Sequence, residues 1–273
     1  MYKQIINPEG KELHYYEYGH KNKEVMLFLP GYVDSALMYR KLGKSLAHQY
    51  RVIALDFPTI HEAEGIYNLE RLTKHLASFV EELGLNNFTL AGFSSCGLVA
   101  IDYTYYYPDK VKELVLLNSV PLFILSERVR RFYLVIKPLL VLRPMLWLYS
   151  RFNSRKWFRK IVKLPRISRF TAARMRKYYY SAFGTQLSLV GESLLTKFKN
   201  IPVPKKIIFF KDDTIIPWGR YQDFVEKQDC EVVVFSEGLH ADKKIYWEKL
   251  KSLWLKSPKI DFQRVRVEKE KRV

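Results

Sequence analysis

Short, continuous apolar runs recur along the chain and alternate with longer runs in which apolar residues follow a helical spacing. A short apolar run bounded by turn residues is typical of a strand buried on both faces, as in a parallel sheet covered by helices. The predicted buried strands are Glu24–Leu29, Arg51–Asp56, Phe88–Ala91, Val111–Leu117, Lys206–Phe210 and Glu231–Phe235. The predicted helices are Ala36–His48, Leu69–Leu83, a run from Leu98 to near Pro108, Trp218–Lys227 and Lys243–Leu255. This alternation predicts an α/β fold with a mostly parallel, doubly wound sheet.

The two ends of the chain depart from this alternation. Residues 2–18 predict two edge strands, because Asn7-Pro8-Glu9-Gly10 between them is a turn signal. The tail, residues 258–273, alternates apolar and charged positions. That pattern leaves open whether the tail adds a strand or forms a charged end without one.

The alternation also stops between residues 121 and 200, where several helical runs but no strand are predicted. We therefore divide the chain into a first core part, 1–120, a basic helical cap or lid, 121–200, a second core part, 201–257, and the tail. The most apolar stretch, 132–149, lies in the cap and is long enough to cross a bilayer. Lys137 and Arg143, each followed by a proline, interrupt it, so the sequence favours a helical cap over a membrane span.

Positive charge is concentrated in the same segment. The chain has 46 Lys or Arg and 28 Asp or Glu, a formal net charge of +18. Residues 121–200 contain 18 of the bases and two of the acids, so this segment carries +16 and the rest of the chain only +2. Such a concentration predicts an anionic partner, either an anionic membrane surface or an acidic acyl-carrier protein. The sequence contains no motif that favours nucleic acid.

The composition and the absence of certain motifs indicate the compartment and the cofactors. Two cysteines, Cys96 and Cys230, cannot form a disulfide framework, and the first ten residues lack the features of a secretory signal. A cytoplasmic protein is predicted, peripheral at the membrane if the cap binds one. The histidines show no metal-ligand spacing and no glycine-rich phosphate loop occurs, so neither a metal nor a nucleotide cofactor is predicted.

The candidate catalytic centre is the turn that follows the predicted strand Phe88–Ala91. It reads Gly92-Phe93-Ser94-Ser95-Cys96-Gly97 and leads into a helical run. A strand, a tight turn with a central serine and a helix form the context of a nucleophile elbow, where the residues flanking the nucleophile must be small. The pattern indicates Ser94 as the nucleophile. A plain turn serine, or Cys96 as the nucleophile instead, are the alternatives.

A nucleophilic serine needs a base, and the base needs an acid that orients it. Asp213 and His240 follow the last two predicted strands of the core. Functional groups gather at the carboxyl ends of parallel strands, so both residues are candidates for these roles. The order serine, aspartate, histidine fits an elbow serine on such a sheet. Asp212 is the alternative acid.

Together these stretches resemble the α/β-hydrolase fold family, with an inserted helical cap. The similar stretches are Phe28-Leu-Pro-Gly-Tyr32, Val52-Ile-Ala-Leu-Asp56, Leu90-Ala-Gly-Phe-Ser-Ser-Cys-Gly-Leu-Val-Ala100, Tyr107-Pro-Asp-Lys-Val111, Asp213-Thr-Ile-Ile-Pro217 and Gly238-Leu-His240. They cover the chain outside residues 121–200 and the tail. The resemblance therefore implies the α/β-hydrolase fold for both core parts.

The resemblance also implies roles for individual residues. The family's triad corresponds to Ser94, Asp213 and His240, and its acid stands four residues before a proline, which selects Asp213 over Asp212. The oxyanion donors correspond to the backbone N–H groups of Tyr32 and Ser95.

A serine hydrolase similar to esterases and lipases is the implied activity. It would cleave carboxylic esters or thioesters with an apolar acyl group through an acyl-enzyme intermediate, and its partner would be the small-molecule ester or acyl substrate. An acyltransferase that uses the same triad stays open as an alternative. So does a non-catalytic binding protein of this fold, since Pro30 and Cys96 stand where the family usually has histidine and glycine. The aspartate nucleophile of epoxide hydrolases is not at the elbow, where Ser94 stands.

Overall fold

The structure, a computed structural model, describes thirteen ranges of the chain. They are residues 1–6, 12–19, 24–31, 34–57, 65–122, 143–153, 155–157, 172–173, 176–189, 193–213, 216–236, 243–255 and 262–265.

One sheet of nine strands forms the centre of the described structure. The strands are β1 Tyr2–Ile6, β2 Glu12–Tyr18, β3 Glu24–Leu29, β4 Tyr50–Asp56, β5 Phe88–Phe93, β6 Val111–Leu117, β7 Lys205–Phe210, β8 Glu231–Phe235 and β9 Phe262–Val265. Their order is β1-β2-β4-β3-β5-β6-β7-β8-β9. The six strands from β4 to β8 in this order are parallel, whereas β1, β2 and β9 pair antiparallel at the two edges. The predicted α/β fold with a mostly parallel sheet is therefore confirmed.

Helices cover both faces of the sheet. They are α1 Arg40–Leu46, α2 Leu69–Glu82, α3 Cys96–Tyr106, α4 Arg143–Asn153, α5 Tyr179–Leu189, α6 Leu195–Asn200, α7 Trp218–Val225 and α8 Lys243–Trp254. Side chains alternate along each strand, so β5 sends Phe88 and Leu90 into one apolar core and Ala91 and Phe93 into the other. Burial on both faces explains why these strands are continuous apolar runs.

Local signals in the sequence fix the ends of α2. The Asn68 side chain accepts a hydrogen bond from the Arg71 N–H at 3.0 Å, which caps the first turn. Gly84, just past the last turn, has a φ of +58°, the left-handed conformation that glycine adopts without strain. A glycine therefore caps the carboxyl end of this helix.

The strand order reverses between β3 and β5, because the chain continues from β3 to one side of the sheet and from β5 to the other. Ligands of open α/β sheets bind at such a switch point, beyond the carboxyl ends of the strands. Gly31 follows β3 and Ser94 follows β5, so the fold places the sequence-predicted turn at this point.

The predicted cap leaves and rejoins the core at the end of β6. Leu122 forms an antiparallel bridge with Ser193, and the Leu194 N–H donates to the Pro121 carbonyl at 2.8 Å. The described helix α6 then packs on α3, with Phe198 in the core. The division at residues 121 and 200 stays a prediction, because 123–142 and other parts of the cap lie outside the described residues.

Both ends of the chain extend the sheet. The predicted edge strands are present as β1 and β2, and β9 supplies the strand that the tail pattern had left open. None of the helices within the described ranges is long and apolar enough to cross a membrane. Most of the apolar stretch 132–149 falls outside those ranges.

Candidate active site

Ser94 occupies an unusual backbone conformation at the turn between β5 and α3. Its φ is +53°, in the left-handed region that non-glycine residues seldom adopt. The Ser94 N–H donates to the Leu117 carbonyl at 3.0 Å, and its own carbonyl accepts from the Gly97 N–H at 3.0 Å. The turn is therefore held on one side by strand β6 and on the other by the first turn of α3. A serine in this conformation at a strand-to-helix turn is the geometry of a nucleophile elbow.

Glycines allow the turn to be this tight. A Cβ on Gly92 would lie 2.7 Å from the Cys96 carbonyl oxygen and 2.7 Å from the Gly97 Cα. A Cβ on Gly97 would lie 2.5 Å from the Ser119 Cβ. Real Cβ atoms do not approach so closely, so both positions require glycine for the close contact of strand and helix. The second small position of the turn is thus supplied by Gly97, one residue later than the usual spacing.

Ser95 lies at the start of α3, where the predicted oxyanion donor is expected. It is the N-cap residue of the helix, with φ −60° and ψ −28°. Backbone N–H groups at a helix start have no partner inside the helix, and the helix dipole favours negative charge there. The Ser95 N–H is thus placed where it can donate to an oxyanion that forms beside Ser94. The second predicted donor, Tyr32, lies outside the described residues.

Asp213 is buried at the carboxyl end of β7. Its side chain is 1% exposed, and its Oδ1 accepts the Ile216 N–H at 2.9 Å. Its Oδ2 accepts a hydrogen bond from the Asn118 side-chain amide. By contrast, Asp212 points to solvent. Of the two aspartates that the sequence proposed, Asp213 is therefore the one held in a fixed orientation at the sheet edge.

Asn118 connects the two predicted catalytic residues. It follows Leu117, whose carbonyl binds the Ser94 N–H, and its own N–H donates to the Ile208 carbonyl of β7 at 2.9 Å. Its φ is +43° and it is fully buried. The fold thus brings Ser94 and Asp213 to one edge, on β5 and β7, with Asn118 of the intervening strand between them. His240 lies outside the described residues, four positions after Ser236, the last residue described before the gap at 237–242.

The loop after β3 is fixed by Asp56 at the end of β4. The Asp56 carboxylate accepts from the Ser35 hydroxyl at 3.1 Å and from the Ala36 N–H. The Asp34 N–H donates to the Gly31 carbonyl at 2.9 Å. Gly31 itself lies against Phe93, one residue before the elbow serine. Gly31, the residue before the predicted oxyanion donor, is therefore held beside the elbow.

Cys96 lacks the properties of a nucleophile. It is 2% exposed, and burial raises the pKa of its thiol, with a further rise from the nearby Asp34 carboxylate. Only the thiolate is strongly nucleophilic, so a thiol with a raised pKa is unreactive at neutral pH. The arrangement favours Cys96 as a small core residue of the turn.

Sequence reasoning missed Asn118 and the role of Asp56. Asn118 carries the signal that identified Asp213, a polar side chain that follows a buried strand, and that signal could have found it. Its contact with Asp213 is not visible in the sequence, because the two residues are 95 positions apart. Within the described residues, no group of three or more His, Cys, Asp or Glu is arranged to hold a metal ion.

Two relatives show how this chain compares with known proteins in sequence. An uncharacterized hydrolase, YugF, from Bacillus subtilis is 26% identical over 47% of this chain and 51% of its own length. Epoxide hydrolase 4 from Mus musculus is 22% identical over 86% of this chain and 73% of its own. The chain thus spans about half of the first relative and about three quarters of the second.

Solved structures of other proteins resemble this chain over nearly its whole length. An esterase from Exiguobacterium antarcticum superposes with a TM-score of 0.68 at 19% identity, covering 94% of this chain and 98% of that one. The sequence profile of the alpha/beta hydrolase fold matches residues 24–243, which is most of the chain. The protein is therefore a member of the α/β-hydrolase fold family.

Proposed function

We propose that this hydrolase is a serine enzyme that cleaves carboxylic esters or thioesters with an apolar acyl group. The observation that carries the proposal is the left-handed conformation of Ser94, φ +53°, at the turn between β5 and α3. Such strain persists in a buried turn only where the surrounding structure enforces it, and it gathers at functional sites. It directs the serine side chain out of the sheet edge, where a substrate can reach it.

The reaction would proceed in two halves. His240 accepts the proton of the Ser94 hydroxyl while Oγ bonds to the substrate carbonyl carbon, and the resulting oxyanion is stabilised by N–H groups of Ser95 and Tyr32. The imidazolium then gives its proton to the leaving alcohol or thiol as the C–O or C–S bond breaks. Water, deprotonated by His240, attacks the acyl-enzyme, and the acid product leaves with Ser94 regenerated. Asp213 stays ionised and orients the imidazole throughout.

Two further observations support these roles. Asp213 is buried and receives two hydrogen bonds, as an orienting acid requires, whereas Asp212 is exposed. One solved structure of this fold is an esterase. The relative named an epoxide hydrolase suggests another reaction. The elbow apex of this chain is Ser94, however, and not the aspartate nucleophile expected of an epoxide hydrolase.

Covalent labelling tests the nucleophile. A fluorophosphonate probe should label the protein once, at Ser94, and Ser94→Ala should abolish both labelling and turnover of activated esters. Cys96→Ala is the matched control, since it changes a small residue of the same turn and should keep labelling. Labelling that persists in Ser94→Ala, or that is lost only in Cys96→Ala, would contradict the mechanism.

A second pair of variants tests the acid. Asp213→Asn should lower kcat by orders of magnitude, because the orienting charge is lost, whereas Asp212→Asn should leave kcat nearly unchanged. A chain-length series of esters, and an epoxide assayed in parallel, identify the substrate class. Turnover of the epoxide without turnover of any ester or thioester would refute the proposal.

A further inference from the structure

The outward face of helix α4 is apolar, unlike that of an ordinary surface helix. Leu146 and Ser150 are buried on its inner side. Four large apolar residues on the outer side are each 39% to 47% exposed: Met145, Trp147, Leu148 and Phe152. A surface helix normally presents charged and polar residues there.

A second element extends this apolar surface. Trp157, in the short segment after α4, is 51% exposed, and its ring packs edge-on against Phe152 with centroids 6.2 Å apart. The Arg155 N–H donates to the Phe152 carbonyl at 2.9 Å, which folds the segment back toward the helix. We call Met145, Trp147, Leu148, Phe152 and Trp157 the aromatic patch. Single exposed apolar residues are ordinary, but a contiguous set of this kind marks an interaction site.

Cations surround the patch. Arg151, Arg155 and Lys156 are exposed, and the Arg151 guanidinium lies 5.5 Å from the centroid of the Trp147 ring. Residues 143–157 contain four bases and no Asp or Glu, so the segment supplies no carboxylate of its own to these cations. We call Arg151, Arg155 and Lys156 the cationic rim. Large aromatic side chains next to Arg and Lys are the composition of a membrane-interface surface.

The patch is attached to the edge of the sheet that holds Ser94. Its helix α4 packs against α5. In turn, α5 contacts the segment beyond the carboxyl end of β4: the Tyr67 N–H donates to the Thr185 hydroxyl at 2.9 Å, and a Cβ on Gly184 would lie 2.6 Å from the Ile66 Cδ1. A surface that binds the patch is therefore brought to the side of the molecule where the candidate nucleophile lies.

We propose that the aromatic patch and its cationic rim dock on the surface of an anionic lipid bilayer. A bilayer interface accepts both parts at once, since aromatic rings partition into the headgroup region and anionic headgroups attract Arg and Lys. A second copy of this chain fits less well, because a twofold interface through the patch would bring two cationic rims together. An acidic protein would match the rim but not the apolar face. The docking is a property of the surface and does not depend on the catalytic proposal.

Binding to vesicles measures the docking directly. The full chain should cosediment with vesicles of equal parts phosphatidylcholine and phosphatidylglycerol far more than with phosphatidylcholine alone. Raising salt from about 0.1 M to about 1 M shortens the screening length from about 10 Å to about 3 Å and should weaken the binding. Equal binding to both vesicles, unaffected by salt, would overturn the proposal.

Charge removal at the rim tests its location. The triple variant Arg151→Gln, Arg155→Gln and Lys156→Gln should bind anionic vesicles about 100-fold more weakly, about fivefold for each charge. The control triple Lys44→Gln, Lys110→Gln and Lys227→Gln removes the same charge from exposed positions near the amino-terminal ends of the strands. It should change binding less than about fivefold. Equal losses in the two triples would show a general charge effect and refute the patch.

Removal of the aromatic rings tests the apolar part. Trp147→Ser with Trp157→Ser should lower vesicle binding and abolish the blue shift of tryptophan fluorescence that docking produces. Tyr105→Ser with Tyr106→Ser, an exposed aromatic pair at the end of α3, should leave both unchanged. Unchanged far-UV circular dichroism establishes that each variant folds. If vesicle binding is absent and an acidic carrier protein or a second copy binds through the same residues, the lipid proposal is wrong and that partner replaces it.

Discussion

The hydrogen bond from Asn118 to Asp213 should contribute to both the activity and the stability of the protein. Asn118→Gly removes the side-chain amide while keeping the left-handed backbone, since glycine adopts the φ of +43° without strain. Asp213 then loses one of its two described hydrogen-bond donors and keeps the Ile216 N–H. A buried carboxylate with fewer fixed donors is oriented less well, and it orients its own partner less well.

The expected size follows from the strength of such a bond. A hydrogen bond to a charged group contributes about 1.5–3 kcal/mol, and each 1.36 kcal/mol corresponds to a factor of ten. If most of this free energy is lost in the transition state, kcat should fall by about 10- to 150-fold. KM should change little, because the Asn118 side chain is fully buried. The free energy of unfolding should fall by a similar amount.

Thr73→Val is the matched control. The Thr73 hydroxyl donates to the buried Asp102 carboxylate at 2.8 Å, and Asp102 keeps its ion pair with Lys197 at 2.6 Å. Both variants thus remove one neutral donor from a buried carboxylate that retains another partner. Denaturant unfolding should show comparable losses, whereas ester turnover well below the unfolding midpoint should fall only in Asn118→Gly. Equal kcat values for the two variants would refute the positioning role of Asn118.

Two glycines and one carboxylate give further expectations. Gly97→Ala should destabilise the protein by about 1–3 kcal/mol in denaturant unfolding, and Ser119→Gly in the same chain should recover most of this, because the Ser119 side chain is what the new methyl meets. Gly219→Ala in α7 meets no atom within 4 Å and should stabilise by about 0.5–1 kcal/mol; destabilisation there would contradict the helix assignment. Burial would raise the pKa of Glu17, but hydrogen bonds from bases on β1 and β4 outweigh it and hold the pKa below 4.5. The ionised Glu17 therefore stabilises the protein above about pH 4.5, and this stabilisation is lost as the pH falls through the lower pKa of the folded state. Glu17→Gln should make the free energy of unfolding depend less on pH in the acid range. An unchanged pH dependence there would contradict this.

The fold could be predicted because its signals are local. Each central strand is a continuous apolar run, and each turn carries its own markers, such as Gly84 at the end of α2. The turn at Ser94 could also be predicted, because its glycines and its position between a strand and a helix are visible in the sequence. The tail could not be assigned from its pattern alone, because a short strand at the sheet edge depends on pairing with β8.

Contacts between distant parts of the chain could not be predicted in the same way. The amide of Asn118 and the carboxylate of Asp56 act on loops that the sequence places far away, and only the sheet order brings them together. The outward face of α4 was hidden for a different reason. Its sequence predicts a helical cap, and the consecutive apolar residues 144–149 do not by themselves reveal which of them face solvent.

The rigid sheet, rather than local preference, determines where the candidate nucleophile lies. Ser94 and Asn118 have left-handed backbones directly after neighbouring strands, and no other serine in the described ranges has a positive φ. Each such residue costs about 1–2 kcal/mol when it is not glycine, so the conformation survives only if the neighbours enforce it. At Ser94 they do, because β5 is buried along its whole length and the turn is bonded to β6 and to the first turn of α3. The conformational preference of serine therefore does not explain why a serine occupies this position. This is the physical reason for proposing a chemical role for Ser94.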